Sequence, residues 1–375
     1  MIHNLKWIIR QRATMTNQNL VERFPTMKKM GSTVDCGDFL IIRPSTSYRM
    51  HSSVIVIKGE EPVIIDTGTT LEPGMKHIKY TLSVHGIDPL TVKYIILTHS
   101  HSDHVLQLYG LQHLCSNAKV ICHERDAFNI QHPTRMERSW LKALKILGKS
   151  QLSLLLSRIL TTPGYILFYR SINLYPRIDY LVPALVNQNG FVLSECPKLS
   201  TKFRTLRFIP TPGHTAGHMC IYDENQKILF LGDFVPFTPW INPLPEALEG
   251  MMQSIRNILT LSSDQVKYTV SAHGDIRRKN WEIMGWDCAK EKFQIFLDTI
   301  NESLKKIPKL VQNKPLTSEN IAQLIIPNYK RYLWIMRVFF IPPALTWILA
   351  YCQKLEMQGE IKRIIQGNKT LWTAV

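Results

Sequence analysis

The chain of 375 residues is 45% hydrophobic and has eight tryptophans, so it can bury a large core and is not a disordered protein. Its 45 lysines and arginines against 29 aspartates and glutamates give a formal net charge of +16. This charge favours an anionic partner: a phosphate-bearing small molecule, nucleic acid or an acidic membrane surface. A basic surface without a specific partner explains it equally well. Seven cysteines, without CxxC spacing, indicate reduced thiols and hence a cytoplasmic protein.

The start of the chain lacks the pattern of a secretion signal. Lys6, Arg10 and Arg12 interrupt its apolar residues, so export is not expected. The apolar run over 338–352 is about 15 residues long and contains a Pro-Pro pair, whereas a membrane-spanning helix needs roughly 18 apolar residues. A spanning helix is therefore not expected.

Short β-branched apolar runs bounded by glycine or turn residues predict buried strands. Residues 104–114 have a helical pattern and separate the early strand groups from the later ones. Strand groups interleaved with helices predict an α/β layered fold. The predicted strand regions are 52–68, 92–99, 203–214, 218–233 and 267–275.

Residues 135–200 are interpreted as a helical insertion. Trp140, Leu141 and Leu144 alternate with Lys142 and Lys145, which is typical of a basic amphipathic helix. Such a helix could cap the sheet, form a homodimer contact, cover a substrate cleft as a lid, or lie on a membrane surface. The aromatic continuation over 164–180 could line an apolar substrate pocket or contact a second subunit.

After about residue 290 the sequence predicts helices followed by a small hairpin. Thr317 precedes the helical pattern of 318–325 as an N-cap, and a Gly-Asn turn at 367–368 separates two short strand-like runs. This order is that of a winged-helix module, predicted over 291–375. Such modules bind nucleic acid in some proteins and serve only packing or dimerisation in others, so both roles are open.

Four side chains of the kinds that bind metals lie within six positions, directly after the predicted strand at 94–97. They are His99, His101, Asp103 and His104. Alternation along the loop lets the first two point to one side and the last two to another. This arrangement suits two adjacent metal ions better than one.

Two ions need more ligands than this loop offers, and suitable residues follow other predicted strands. His214, Asp233 and His273 each come after an apolar run and stand beside a glycine. Glycine permits tight turns and a close approach of the backbone to a ligand. These three residues are therefore candidates for the same site.

The set HSHSDH, His214, Asp233 and His273 resembles the metallo-β-lactamase superfamily over about residues 35–280. The resemblance implies a four-layer αββα sandwich over 1–290, with metals at the edge between two sheets. It also implies that His99, His101 and His214 bind one ion, that Asp103, His104 and His273 bind the other, and that Asp233 bridges both. Asp66 matches the family's early aspartate, which supports the ligand loop without binding metal.

The resemblance implies a metal-dependent hydrolase. Two Zn²⁺ ions suit the histidine-rich ligands, and iron or manganese would also accept them. Such ions lower the pKa of a bridging water toward ~7, so that hydroxide can attack the substrate. Asp103, as the candidate catalytic residue, or a bound water would return a proton to the leaving group.

The spacing of the candidate ligands and the absence of certain features disfavour two branches of the superfamily. Only 39 residues lie between Asp233 and His273, which leaves no room for the large domain of the β-CASP nucleases. The flavodiiron branch is disfavoured because its glutamate and flavodoxin domain are missing. We expect hydrolysis of an acyl-CoA, acyl-carrier or similar thioester or ester, with an endoribonuclease or a lactonase as alternatives. A metal-stabilised scaffold that only binds DNA would have lost a ligand, and none of the seven is lost.

Overall fold

The structure is a computed structural model that describes residues 31–44, 52–68, 72–132, 146, 176–184, 191–235, 241–242, 244–273, 282–326, 343–367 and 369–375. Most of the predicted insertion lies outside these residues, and so does the first part of the apolar run 338–352. The basic amphipathic helix predicted around Lys142 and Lys145 therefore stays a prediction.

The first sheet has seven strands in the order β1-β2-β3-β4-β5-β6-β7. Strands β1 to β4 are antiparallel neighbours, and β4 to β7 are parallel. Chain order and spatial order coincide, so each strand lies beside the one before it. The strands are β1 (Ser32–Asp35), β2 (Phe39–Arg43), β3 (Val54–Ile57), β4 (Val63–Ile65), β5 (Tyr94–Ile96), β6 (Lys119–His123) and β7 (Tyr180–Val182).

The second sheet has six strands in the order β13-β12-β11-β10-β9-β8. Its β11 and β12 are parallel, and its other neighbouring strands are antiparallel. The strands are β8 (Lys198–Ser200), β9 (Thr205–Pro210), β10 (Met219–Asp223), β11 (Ile228–Gly232), β12 (Tyr268–Ser271) and β13 (Ile283–Gly285).

Helices cover the outer faces of both sheets, and a separate hairpin ends the chain. The helices are α1 (Glu72–Val84), α2 (Ser102–Val105), α3 (Leu108–Leu114), α4 (Glu124–Gln131), α5 (Pro245–Leu259), α6 (Trp286–Val311), α7 (Ser318–Ile325) and α8 (Pro343–Met357). The hairpin consists of β14 (Ile361–Gln366) and β15 (Lys369–Ala374).

Alternating side chains of the strands build the layers. Ile41 and Ile55 point to the face shared with the second sheet, where Phe39 and Phe230 meet edge to face with ring centroids 5.6 Å apart. Their neighbour Leu40 points to the other face, under the helices of the first sheet. Because strand side chains alternate, each sheet is apolar on both faces and is covered on both. The predicted four-layer αββα sandwich is confirmed.

The helical insertion predicted over 135–200 is wrong at its C-terminal end. Residues 180–182 extend the first sheet as β7, parallel to β6, and residues 198–200 pair with β9 in the second sheet. Backbone pairing with an existing strand decides this conformation, and short runs of three residues give little periodic signal of their own.

The C-terminal elements share a core with the second sheet. One continuous apolar cluster contains Tyr222 of β10, Phe293 of α6 and Trp372 of β15. The boundary predicted between residues 290 and 291 falls inside α6, which runs from Trp286 to Val311. The predicted N-cap is present, since Thr317 accepts a hydrogen bond from the Asn320 amide at 3.1 Å. The order of the helices and the hairpin also agrees with the predicted order. The winged-helix character and the nucleic-acid contact stay predictions.

Two expectations about the whole chain can be compared with the described residues. None of the helices described here combines the length and apolarity that a bilayer span requires. Helix α8 starts at the Pro-Pro pair of the apolar run, where proline favours the first helical turn. All seven cysteines are described, and each is a free thiol.

Candidate metal centre

The predicted ligands follow strands that end at one edge of the sandwich. His99 and His101 come after β5, and Asp233 and His273 come after β11 and β12. Parallel neighbouring strands place their carboxyl ends together, so their loops converge. His214, after β9, completes the set from the same sheet as Asp233.

A first group of donor atoms comes from His99, His101, His214 and Asp233, with all four atoms within 4.8 Å of one another. His214 Nε2 lies 3.2 Å from His99 Nε2 and 3.2 Å from Asp233 Oδ2. These side chains belong to loops of both sheets, and only the tertiary fold brings them together.

A second group of donor atoms comes from Asp103, His104, Asp233 and His273, again within 4.8 Å of one another. His273 Nε2 lies 3.1 Å from Asp103 Oδ2 and 3.1 Å from Asp233 Oδ1. His104 Nε2 is 3.1 Å from the same Asp233 oxygen. The division into two groups is the one that the sequence resemblance implies.

Asp233 belongs to both groups through different oxygens. Its Oδ2 faces His214, at 3.2 Å, and its Oδ1 faces His104 and His273, each at 3.1 Å. A carboxylate with this orientation can bridge two cations that lie next to each other.

The donor set fits a pair of divalent cations. His104 Nε2 and Asp233 Oδ1 are buried and make no hydrogen bond in the described structure, although they lie 3.1 Å apart. A buried polar atom without a partner is costly, and a metal ligand gains its partner from the ion. Imidazole nitrogen and carboxylate oxygen are donors that zinc, iron and manganese accept.

Burial and neighbouring charges shift the pKa values of the ionisable groups in the site. Burial, together with the neighbouring His214, lowers the pKa of His101 to about 3. Burial also opposes protonation of His273, but the carboxylates of Asp233 and Asp103 raise its pKa to about 10. Burial would raise the pKa of Asp233, yet His273 and His104 hold it well below its usual range. The carboxylates thus attract positive charge into this edge, as a cation site requires.

Asp66 supports the ligand loop, as the resemblance to the family implies. It follows β4 in the left-handed region, at φ 59°, and its Oδ2 accepts a hydrogen bond from His104 Nδ1 at 2.7 Å. Its Oδ1 accepts the Thr98 amide at 2.8 Å. These bonds leave His104 Nε2 free to face the second group.

His218 is a functional residue that the sequence interpretation did not select, although it stands in the motif TPGHTAGH. Its Nε2 accepts the Asp233 amide at 3.1 Å, so the proton lies on Nδ1, which contacts Thr211 Oγ1 at 2.8 Å. Burial holds the pKa of His218 well below its usual range, which keeps the ring neutral. The residue therefore fixes the backbone that carries Asp233.

Asp126 is the second residue that the sequence interpretation missed. It is 1% exposed at the start of α4 and accepts hydrogen bonds from Ser100 and Thr215, the neighbours of predicted ligands. Its sequence context, HERDA, gives no local sign of this role.

At two positions beside the proposed ligands, only glycine fits without a steric clash. Gly232 has φ 54°, and a Cβ there would lie 2.9 Å from His218 Nε2. Gly213 has φ 140°, and a Cβ would lie 2.6 Å from the Cβ of Met251. The prediction that glycine permits a close approach is confirmed at both positions, whereas residue 274 lies outside the described residues.

The sequence over residues 47–273, more than half of the chain, matches the family model of the metallo-beta-lactamase superfamily. The chain belongs to the metallo-beta-lactamase superfamily. Among curated proteins it is 26% identical over 205 residues to "Acyl-coenzyme A thioesterase MBLAC2" of Bos taurus, and 26% identical over 209 residues to the Homo sapiens protein of that name. Each alignment covers 52% of this chain and 62% of the relative, which is less than two thirds of the relative's length.

Solved structures of the superfamily share the fold. A metallo-beta-lactamase family protein from Thermus thermophilus has a TM-score of 0.63 at 16% identity, covering 90% of this chain and 99% of that one. A beta-lactamase domain protein from Burkholderia ambifaria has a TM-score of 0.65 at 17% identity, covering 92% and 95%. At this identity the likeness shows the fold alone. Superfamily membership and the two donor groups imply the use of divalent metal and support a metal-dependent hydrolase.

Proposed function

We propose that this protein hydrolyses thioesters of the acyl-CoA kind with the help of two divalent cations. The observation that carries the proposal is the position of Asp233, whose two carboxylate oxygens face separate groups of donors. A site with two adjacent cations suits displacement at a carbonyl, because attack and departure both involve negative charge.

The residues that would hold the first ion are His99, His101 and His214, and those for the second are Asp103, His104 and His273. Asp233 would contribute one oxygen to each ion. We propose zinc as the resident metal, since five of the seven donors are imidazoles, and iron or manganese as the alternatives. The ions would supply a nucleophile at neutral pH and stabilise the charge that develops on the substrate oxygen.

Asp103 is the candidate for proton transfer. Asp103 is 7% exposed, and its Oδ2 lies 3.1 Å from His273 Nε2. As a carboxylate, Asp103 can accept the proton of the attacking water through the oxygen that does not bind the cation. The oxygen of that water then bonds to the carbonyl carbon as the carbon–sulfur bond breaks, and Asp103 returns the proton to the thiolate. The products are a carboxylic acid and a thiol.

A thioester of CoA suits what the sequence offers. The curated relatives are named as acyl-coenzyme A thioesterases, which supports this substrate class at 26% identity. CoA carries phosphates, and the net charge of +16 favours such an anion. The residues over 135–200 combine apolar and aromatic side chains with lysine and arginine, which would match an acyl chain beside phosphates.

A panel of substrates tests the proposal. The protein reconstituted with Zn²⁺ is given acyl-CoA esters of increasing chain length, glutathione thioesters, homoserine lactones and single-stranded RNA. We expect release of free CoA, measured with a thiol-reactive chromophore, to exceed the other reactions. Cleavage of RNA or lactone alone would replace the proposed function with one of the alternatives.

A matched pair of variants ties this activity to the site. Asp233→Asn removes the carboxylate between the two groups, and Asp223→Asn makes the same change at a buried carboxylate that caps the turn after β10. We expect Asp233→Asn to lose thioester hydrolysis and Asp223→Asn to keep it. Equal activity of the Asp233→Asn variant and the wild type would contradict the proposed site.

A further inference from the structure

We propose that Asp126 is a positioning residue that sets the distance between the two loops of the first donor group, and thereby the affinity of that group for its cation. This inference rests on the proposed binding of two cations. The residue lies in the first turn of α4, outside the seven donors, and is 1% exposed.

The Asp126 carboxylate joins loops from the two different sheets. Its Oδ2 accepts the Ser100 amide at 2.8 Å and the Thr215 hydroxyl at 2.7 Å. Its Oδ1 accepts the Gly217 amide at 2.9 Å. Ser100 follows β5 of the first sheet, whereas Thr215 and Gly217 follow β9 of the second.

These partners stand beside the proposed ligands in the chain. Ser100 lies between His99 and His101, and Thr215 is the neighbour of His214. The gap that Asp126 spans is therefore the gap that a cation would span, where His99 Nε2 and His214 Nε2 are 3.2 Å apart. Hydrogen bonds to a carboxylate are stronger than those between neutral groups, so this link restricts both loops.

Packing gives a second, independent sign that the His214 loop rests on Asp126. A Cβ at Gly217 would lie 2.7 Å from the Asp126 amide nitrogen and 2.8 Å from its Oδ1. No side chain larger than hydrogen fits there without a shift of the backbone. The loop is thus seated directly on the first turn of α4, and the carboxylate holds it there.

The substitution Asp126→Asn is the main test. All three partners are donors, and an amide can present its oxygen to only one side, so its NH₂ must face either Gly217 or the Ser100 and Thr215 pair. We expect a 10- to 100-fold loss of affinity at one of the two cation sites, about the effect of removing an outer-shell partner of a ligand. Zn²⁺ affinities are measured by competition with chromophoric chelators, and the metal content by elemental analysis.

Two ligand variants, each combined with Asp126→Asn, show which donor group loses its affinity for a cation. In His273→Ala, which damages the second group, Asp126→Asn should still weaken binding of the remaining ion. In His101→Ala, which damages the first group, the same substitution should have little further effect, because the two changes act on one site. An equal loss in both backgrounds, or no loss in either, would overturn the assignment.

Asp223→Asn is the matched control for general destabilisation. Asp223 is a buried carboxylate, 2% exposed, that accepts the amides of Asn225 and Gln226 at 2.9 and 3.0 Å. It lies beside the starts of β9 and β11, whereas the proposed ligands follow the ends of those strands. The Asp223→Asn variant should keep the wild-type affinity for both ions even if its melting temperature falls. Thr215→Ala, which removes one of the three bonds, should lose affinity less than Asp126→Asn does.

The outcomes separate this inference from the proposed function. If the wild type binds two ions and Asp126→Asn binds both equally well, only the positioning role is refuted. If the wild type binds two ions but hydrolyses no thioester, only the proposed function is refuted. A wild-type protein that binds no divalent ion overturns both.

Discussion

His104 Nδ1 donates a hydrogen bond to Asp66 Oδ2 at 2.7 Å, and the opposite ring nitrogen of His104 faces Asp233 Oδ1 at 3.1 Å. One imidazole thus connects the strand end of β4 to the donor shared by both groups. The same Asp66 carboxylate accepts the Thr98 amide at 2.8 Å, directly before His99. The loop that carries four of the seven proposed ligands is therefore oriented by a residue 32 positions upstream in the chain.

The substitution Asp66→Asn should weaken cation binding without unfolding the protein. An amide keeps one acceptor but presents its NH₂ to either His104 or Thr98, so the imidazole loses its fixed orientation. We expect a 10- to 100-fold lower affinity, mainly at the second group, measured by chelator competition. Unchanged affinity at both groups would show that His104 holds its orientation without Asp66.

His77 should make the stability of the protein depend on pH. It is 4% exposed on α1, with Nε2 3.0 Å from Thr33 Oγ1, and burial lowers its pKa to about 4. The unfolded chain, with an ordinary histidine pKa near 6.5, binds more protons below that pH than the folded chain does. The stability is therefore fully present above about pH 6.5 and is lost as the pH falls toward 4, by ~2 kcal/mol at pH 5.

Urea unfolding at pH 7.5 and pH 5 measures this effect, with His77→Gln as the comparison. The other titrating groups are common to both proteins, so the difference between their pH responses reports His77. We expect the variant to lose less stability than the wild type on acidification. An identical pH response of the two proteins would contradict a buried neutral His77.

The ion pair between Arg43 and Glu282 should stabilise the edge where β12 ends. Both Glu282 oxygens accept hydrogen bonds from the guanidinium at 2.5 Å, and Glu282 is 5% exposed. The backbone carbonyl of Glu282 accepts the Ser271 amide at 2.8 Å, two residues before His273. We expect Glu282→Gln to lower the free energy of unfolding by about 1–3 kcal/mol.

A double-mutant cycle with Arg43→Gln checks this pair. The arginine side chain is 28% exposed, so solvent reduces the contribution of its charge. Removing both charges should cost less than the sum of the two single substitutions, because neither partner is then left alone. Strict additivity of the two changes in urea unfolding would mean that the ion pair contributes nothing.

Gly232→Ala should be poorly tolerated, whereas Gly285→Ala should be tolerated. Gly232 has φ 54° and an added Cβ would meet Thr98 and His218 at 2.9 Å. Gly285 has φ −60°, and nothing lies within 4 Å of its Cβ position. We expect a loss of ~1–3 kcal/mol and weaker cation binding for the first, and a change below about 1 kcal/mol for the second.

Thermal unfolding and metal content of the two glycine variants measure this difference. Because both changes add one methyl group, the comparison isolates the effect of backbone conformation and space at Gly232. Equal melting temperatures for the two variants would refute the steric argument.

Several features of the protein could be predicted from the sequence because their signals are local. The seven proposed ligands lie on loops that follow apolar runs, so the strand ends could be placed without knowing the fold, and the residue types selected metal chemistry. The cap Thr317 also follows from a local signal, whereas the supporting role of Asp66 is implied only by the resemblance to the family. The layered α/β class followed from the alternation of strand groups with helices.

Only the tertiary structure decided the contacts between segments distant in the chain. Asp126 meets Thr215 across 89 positions, and no periodicity or motif records that pairing. The same holds for β7 and β8, whose three residues each become strands only beside β6 and β9. It also holds for the C-terminal helices, whose apolar faces join the core beneath the second sheet instead of forming their own.

The physical reason is the range of the interactions. A strand end, a cap or a glycine turn is fixed by a few neighbouring residues, so the sequence by itself determined the list of donors. Their division into two groups around Asp233 is implied by the resemblance to the family, but the distances within each group depend on how two sheets pack face to face. The link that the Asp126 carboxylate makes between two loops depends on the same packing. That packing is set by burial of side chains from the whole chain, which only the folded structure displays.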